Sequence, residues 1–138
     1  MGIMNIVDVQ NRIVERFDSY WQDTALEHVN TAIDKSDLEE WVRLSIIHSP
    51  AKRFSFTNSA KRGGSANVQV FVKDGIGQGR AVELAVKAGE FLMTLSTGTL
   101  RFEPYDIRVV GNKASDALTT TETSWFQVNC FVDFTFID

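Results

Sequence analysis

Two stretches of the chain have apolar residues at intervals of three and four, which is the period of an amphipathic helix. Asn5 can cap the first of them, whose apolar stripe consists of Ile6, Val9, Ile13, Phe17, Tyr20 and Trp21. Gly98 is expected to end the second, whose stripe consists of Ala81, Leu84, Ala85, Ala88, Phe91, Leu92 and Leu95. The pattern therefore predicts two main helices.

Alternation of apolar and polar residues predicts the strands. It extends unbroken from Phe126 to Phe136, and it recurs from Glu40 to His48, just before Pro50. A hairpin is predicted over Phe54 to Lys73, with the turn at Lys61-Arg-Gly-Gly-Ser65, because consecutive glycines between apolar runs usually mark a change of direction. These segments predict a sheet with neighbouring antiparallel strands.

The remaining segments have a less regular pattern of apolar and polar residues. Asp23 to Asp37 is predicted to be an irregular connection with a short edge strand. Leu100 to Phe102 and Ile107 to Val110 are predicted as short strands on either side of Pro104, and Gly111 to Thr123 as an exposed polar loop. The order of elements predicts an α+β fold, a mainly antiparallel mixed sheet with two main helices packed on one face. Residues 1–138 are expected to form a single domain.

Charge and cysteine content narrow the class of protein. The chain has 14 basic and 18 acidic residues, a formal charge of −4, which argues against a surface that depends on generic attraction to duplex DNA. The single cysteine, Cys130, falls within the last apolar strand and is expected to be a reduced core residue of a protein made in a cytoplasm. No apolar run approaches the roughly 18 residues of a membrane helix, so no membrane partner is expected.

The Gly-rich turn Asp74–Gly79, between a strand and a helix, lies where a phosphate-binding loop would occur. A dinucleotide-binding fingerprint, however, needs its third glycine at the position of Arg80, and the Lys-Ser/Thr pair of a phosphate loop is absent from the turn. The turn is therefore interpreted as a flexible connection. An anion bound at the helix N-terminus is the alternative, and it would make the protein a small enzyme or ligand-binding domain.

Other candidate chemistry is weak. His28 and His48 have no cysteine or histidine at ligand spacing, so neither a metal nor a cofactor is expected. Cys130 lacks the exposure that a nucleophile needs, and the acidic run Asp37, Glu39 and Glu40 is interpreted as a solvated turn. The sequence therefore favours a protein that is not an enzyme.

Two sets of residues remain as candidates for contacts with other proteins. The basic pairs Lys52-Arg53 and Lys61-Arg62 are either ordinary charged loops or contact loops. Trp41, Trp125 and Phe131 alternate away from the core side of their strands, so each needs cover from another element or from a neighbouring subunit.

Taken together, the chain resembles the tail terminator (tail completion) proteins of long-tailed bacteriophages. The resemblance covers nearly all of it and rests on the order of elements and on the segments Trp41–Ile47, Gly64–Val72, Gly75–Gly79, Ala81–Ala85 and Trp125–Val132, together with the N-terminal helix. It implies a small α+β subunit without catalytic residues that forms a homo-hexameric ring. Such a ring caps the tail tube, ends its polymerisation and provides the surface for head-tail joining.

The resemblance also implies the partners and the location. The partners are further copies of the chain, the tail tube protein and a head-tail connector or neck protein, and the location is the head-proximal end of the virion tail, after assembly in the bacterial cytoplasm. Two hypotheses come from the residues themselves: the Trp and Phe side chains lie at a subunit junction, and the basic pairs contact tube, connector or, transiently, phage DNA. Another head-tail connector, a neck or stopper subunit, is the alternative of the same class.

Overall fold

The computed structural model describes residues 5–29, 31–50, 52–53, 60–114 and 124–137, and it confirms the predicted α+β class with two helices and a mixed, mostly antiparallel sheet. The elements in chain order are α1 (Ile6–Tyr20), β1 (Ala25–His28), β2 (Glu40–His48), β3 (Lys52–Arg53), β4 (Ala60–Lys73), α2 (Gln78–Met93), β5 (Leu100–Phe102), β6 (Asp106–Ala114) and β7 (Ser124–Ile137).

The two longest strands, β4 and β7, form the middle of the sheet. Residues 61–73 of β4 pair antiparallel with residues 137–125 of β7. On the other side of β4, β2 pairs with residues 64–72 and β3 with residues 60–61. On the other side of β7, β6 and β5 pair with successive parts of the strand. β1 is parallel to β2 and makes the sheet mixed, and it is the short edge strand predicted between Asp23 and Asp37.

Both helices pack on the same face of the sheet, as predicted. α1 begins with a capping box, in which the Asn5 side chain accepts a hydrogen bond from the Asp8 N–H and the Asp8 carboxylate accepts one from the Asn5 N–H. The helices and the alternating sheet residues enclose one apolar core. Its largest fully buried side chains are Phe17, Phe134, Phe136, Ile13, Leu84, Leu92 and Leu100.

The turn predicted at Lys61–Ser65 is wrong, because β4 continues through these residues to Lys73. Gly63 and Gly64 lie inside the strand for a packing reason. A Cβ on Gly64 would collide with the carbonyl oxygen of Ile47 and lie 2.9 Å from Cζ of Phe134. The glycines therefore mark a close approach of strands and not a change of direction. Residues 54–59, the other part of the predicted hairpin, lie outside the described residues.

Two other boundaries differ from the prediction. α2 ends at Met93, before Gly98, and Leu95 is buried just beyond the helix. β6 extends from Asp106 to Ala114, so residues 111–114 of the predicted loop belong to a strand, while residues 115–123 lie outside the described part of the chain. Gly111, with φ of 99°, accommodates an irregularity in the pairing with β7, which is why it does not end the strand.

Gly89 sets how closely α2 approaches the sheet. A Cβ at this position would lie 2.7 Å from Sγ of Cys130 and 2.7 Å from Cβ of Tyr105. We expect Gly89→Ala to lower the free energy of unfolding by about 1–3 kcal/mol, because α2 must move away from β7. Gly79→Ala is the control, since its Cβ meets nothing within 4 Å, and it should be neutral or stabilising by up to about 1 kcal/mol. Urea unfolding measures both, and equal effects would contradict this account of the helix packing.

Candidate functional site

An aromatic cluster of Trp41, Phe71 and Trp125 lies on the sheet face opposite the helices. The rings of Trp41 and Phe71 are stacked with centroids 4.2 Å apart, and Trp125 meets Trp41 edge-on at 6.1 Å. Only 4% of Trp41 and 7% of Trp125 are exposed. Most of the cover that these residues need therefore comes from their own chain, and their contact with a neighbouring subunit stays a prediction.

Phe131 lies apart from this cluster on the same face. It pairs across the sheet with Asn67 and Asp106, it is half-buried, and the guanidinium carbon of Arg108 lies 5.4 Å from its ring centroid. Ile47 is also on this face and is 58% exposed. The exposed apolar surface on this side of the sheet therefore lies closer to Phe131 and Ile47 than to the tryptophans.

A charged network lies over the aromatic cluster. The Glu27 carboxylate, 4% exposed, accepts hydrogen bonds from Nζ of Lys35 at 2.6 Å and from Nε of Arg43 at 2.8 Å. Arg43 also donates to Gln69 at 3.2 Å, and both cations lie over the Trp41 ring. Sequence reasoning missed this network, because Glu27 and Arg43 meet only through the parallel pairing of β1 with β2.

The environment of Glu27 favours the ionised carboxylate. Burial alone raises its pKa, but the hydrogen bonds from Lys35 and Arg43, the Ile33 N–H and the charge of Arg43 together lower the pKa below the ordinary value of 4.5. Because Lys35, Glu27 and Arg43 are held together over the rings, the network fixes the segment after β1 against the sheet. The network therefore has a structural role, and it positions the acidic turn that follows Lys35.

The basic residues predicted as two loops come together at one end of the sheet. Lys52 in β3 lies directly opposite Lys61 in β4, and Arg53 lies opposite Ala60. Lys61 and Arg62 line a groove of about 390 Å³ between β2, β4 and β7, a volume within the roughly 300–1,000 Å³ of typical binding clefts. Its other lining residues are Ile47, Ser49, Pro50, Gly63, Gly64, Ser65, Asp133, Phe134 and Thr135.

The Gly-rich turn is a strand-to-helix connection with Gly75 and Gly77 at positive φ. Arg80, which occupies the position of the missing fingerprint glycine, donates two hydrogen bonds to Glu40 at 2.8 and 2.9 Å and one to Glu83 at 3.0 Å. These carboxylates raise the pKa of Arg80. Asp74, which is exposed, lines the small cavity beside the turn. The turn therefore presents negative charge, which does not favour an anionic ligand.

Cys130 is buried in the apolar core, and His48 is partly buried at the end of β2. Burial raises the pKa of the Cys130 thiol to about 12, so the thiol stays protonated at neutral pH. His48 Nε2 donates to Oε1 of Gln10 at 2.9 Å, and burial lowers the pKa of its ring. Among the residues that the structure describes, three or more His, Cys, Asp or Glu side chains are nowhere placed to hold a metal ion.

No protein family matches the chain, and no curated protein matches it. Neither of the two described helices is long and apolar enough to span a membrane.

We expect Glu27→Gln to lower the free energy of unfolding by about 1–3 kcal/mol at neutral pH, because two charge-assisted hydrogen bonds are weakened in a buried place. Since the folded-state pKa of Glu27 is lowered, its contribution is complete above the ordinary pKa and is lost as the pH falls through the folded value. The difference between variant and parent should therefore shrink in acid. Unfolding measured over a pH series checks this, with the exposed Glu90→Gln as the control. A difference that persists in acid would show that Glu27 acts by packing alone.

Proposed function

We propose that this protein is a structural virion subunit that forms a hexameric ring on the tail tube of a long-tailed bacteriophage. The ring caps the tube, ends its polymerisation and presents the surface to which the head is joined. The observation that supports this most is the one-sided architecture, in which both helices close one face of the sheet while the other face holds exposed apolar and charged residues. The other support is the resemblance of the sequence to the tail terminator proteins, which rests on the order of its segments.

The role requires recognition and not catalysis, and we propose that the protein is not an enzyme. A closed ring of identical subunits uses a heterologous interface, in which two different surfaces of each subunit meet. The chain offers such different surfaces, because one end of the sheet has the basic residues around Lys61 and the other end has the acidic turn before β2.

The remaining partners follow from the same proposal. One rim of the ring meets the tail tube protein, and the other meets a head-tail connector or neck protein, at the head-proximal end of the tail. The exposed Ile47 and the half-buried Phe131 supply apolar surface for contact with a neighbour, and the basic groove supplies charge. Contact with DNA that passes through the ring is a further hypothesis, and it involves the same basic residues.

Two alternatives are distinguished by measurement. A neck or stopper subunit would also form a ring but would bind the head connector and leave tube length unchanged. A small enzyme that binds an anion at the 74–79 turn would gain thermal stability from nucleotides. The carboxylates around Arg80 weigh against this second alternative.

We expect the protein to limit the growth of tail tubes assembled from purified tube protein. Because a cap removes the growing end, tubes assembled with the protein should be shorter, and each should have a ring at one end in negative-stain images. An equal concentration of heat-unfolded protein is the control. Tubes of unchanged length without rings would contradict the proposal, and rings that bind only head connectors would favour the neck or stopper alternative.

A further inference from the structure

The strand β6 forms an open edge of the sheet. It pairs with β7 on one side, and none of the other described strands pairs with it on its other side. The backbone N–H and C=O groups of such an edge can pair with a strand of another molecule. The edge strand on the far side of the sheet, β1, has only four residues, whereas β6 has nine. The β6 edge is therefore the better template for a further strand.

The side chains along this edge alternate between the two faces of the sheet. Ile107 and Val109 are on the face that the helices cover, because their partners in β7 are core residues, and Tyr105 contacts α2 on the same face. The helices cover Val109 incompletely, since 46% of it is exposed. Asp106 and Arg108 are exposed on the opposite face. The edge therefore presents apolar groups on one face and one charge of each sign on the other.

The two charges are accessible to a neighbouring molecule. The guanidinium carbon of Arg108 lies 5.4 Å from the centroid of the Phe131 ring, and no described residue forms an ion pair with Arg108 or with Asp106. Asp106 lies opposite Phe131 in β7, so that both charges flank the same half-buried ring. A strand that joins the edge would meet both charges directly.

The segment Tyr105-Asp-Ile-Arg-Val109 is complementary to itself when it is read in the opposite direction. In an antiparallel pair centred on Ile107, Asp106 of each copy lies opposite Arg108 of the other, and Tyr105 lies opposite Val109. A pair centred on Asp106 or on Arg108 would instead place two like charges opposite each other, which destabilises a sheet. Charge complementarity therefore selects one register, and it selects a second copy of this chain as the partner.

The ends of this segment limit the length of the pairing. Pro104 has no N–H to donate to a further strand, and the pairing of β6 with β7 is irregular between Val109 and Gly111. Residues 105–109 therefore form a regular edge of five residues, about 16 Å long. A contact of this length is smaller than a standard protein interface, so the association should be weak and transient.

We propose that two copies of the chain pair antiparallel through residues 105–109, with the two-fold axis at Ile107, and thereby join their sheets. A two-fold contact joins the same surface of both copies, whereas the proposed ring joins unlike surfaces. The pair is therefore a contact of free subunits outside the ring, and the inference does not rest on the proposed function. The pair covers the open edge of each sheet, which protects it from pairing with other strands.

Charge reversal on either side of Ile107 provides the test. Asp106→Arg alone, or Arg108→Asp alone, places like charges opposite each other at both cross-strand positions, so each variant should pair about tenfold more weakly than the parent. An equimolar mixture of the two variants should pair as well as the parent, because opposite charges meet again. The double variant, in which the two residues are exchanged, should pair with itself. Sedimentation equilibrium over a concentration series measures the pairing, and native mass spectrometry identifies the mixed pair.

Arg101→Asp is the matched control. Arg101 is exposed in β5, on the same side of β7 but outside the pairing segment, so its reversal should leave the pairing unchanged. Thermal melting should show that all variants fold. Hydrogen exchange of the parent is a second test that needs no variant. The amides of residues 105–109 that point away from β7 should become more protected as the concentration rises.

Three results would overturn the inference. They are a parent that shows no pair at the highest concentration, pairing that survives both single reversals, and weakened pairing that neither the mixture nor the double variant restores. Each of them would leave the proposed ring standing, because the ring is tested by the length of the tubes. Tubes of unchanged length would in turn contradict the ring and leave the pairing through β6 intact.

Discussion

The antiparallel pairing of β4 with β7 is the constraint on which the rest of the structure depends. These strands are far apart in the chain, yet they pair from Lys61 with Ile137 to Lys73 with Trp125. That register places one set of alternating residues under both helices and the other set on the opposite face. Every other strand joins the outer edge of this pair or of β2, and Gly64 and Gly89 have no side chain where neighbouring groups approach most closely.

The same register determines which residues are accessible to other molecules. Trp41 and Trp125 are brought together with Phe71 and are almost fully covered, so their main effect is on the stability of the subunit. The ends of the sheet are more exposed than this buried cluster. There the basic groove and the acidic turn are exposed, and the Glu27 network holds the acidic turn against the sheet. A subunit with two unlike ends is suited to head-to-tail assembly.

The sequence predicts most of the fold because the long elements have strong periodicity. The stripes of α1 and α2 and the alternation of β2 and β7 are regular enough to identify each element. The features that the sequence did not predict have local causes. Gly63 and Gly64 look like a turn, but they are glycines because Phe134 and the backbone of β2 approach them. The Glu27 network depends on β1 lying parallel to β2, and the grouping of Lys52 with Lys61 depends on the pairing of β3. Neither pairing leaves a periodic signal in the sequence.

We propose that unlike surfaces of identical subunits meet and close into a ring. Native mass spectrometry of the parent protein over a concentration series, alone and with tail tube protein, tests it most directly. We expect a single closed species of six subunits, formed by the protein alone or when tube protein is added. A protein that remains monomeric at every concentration and does not bind tube protein would rule out the ring.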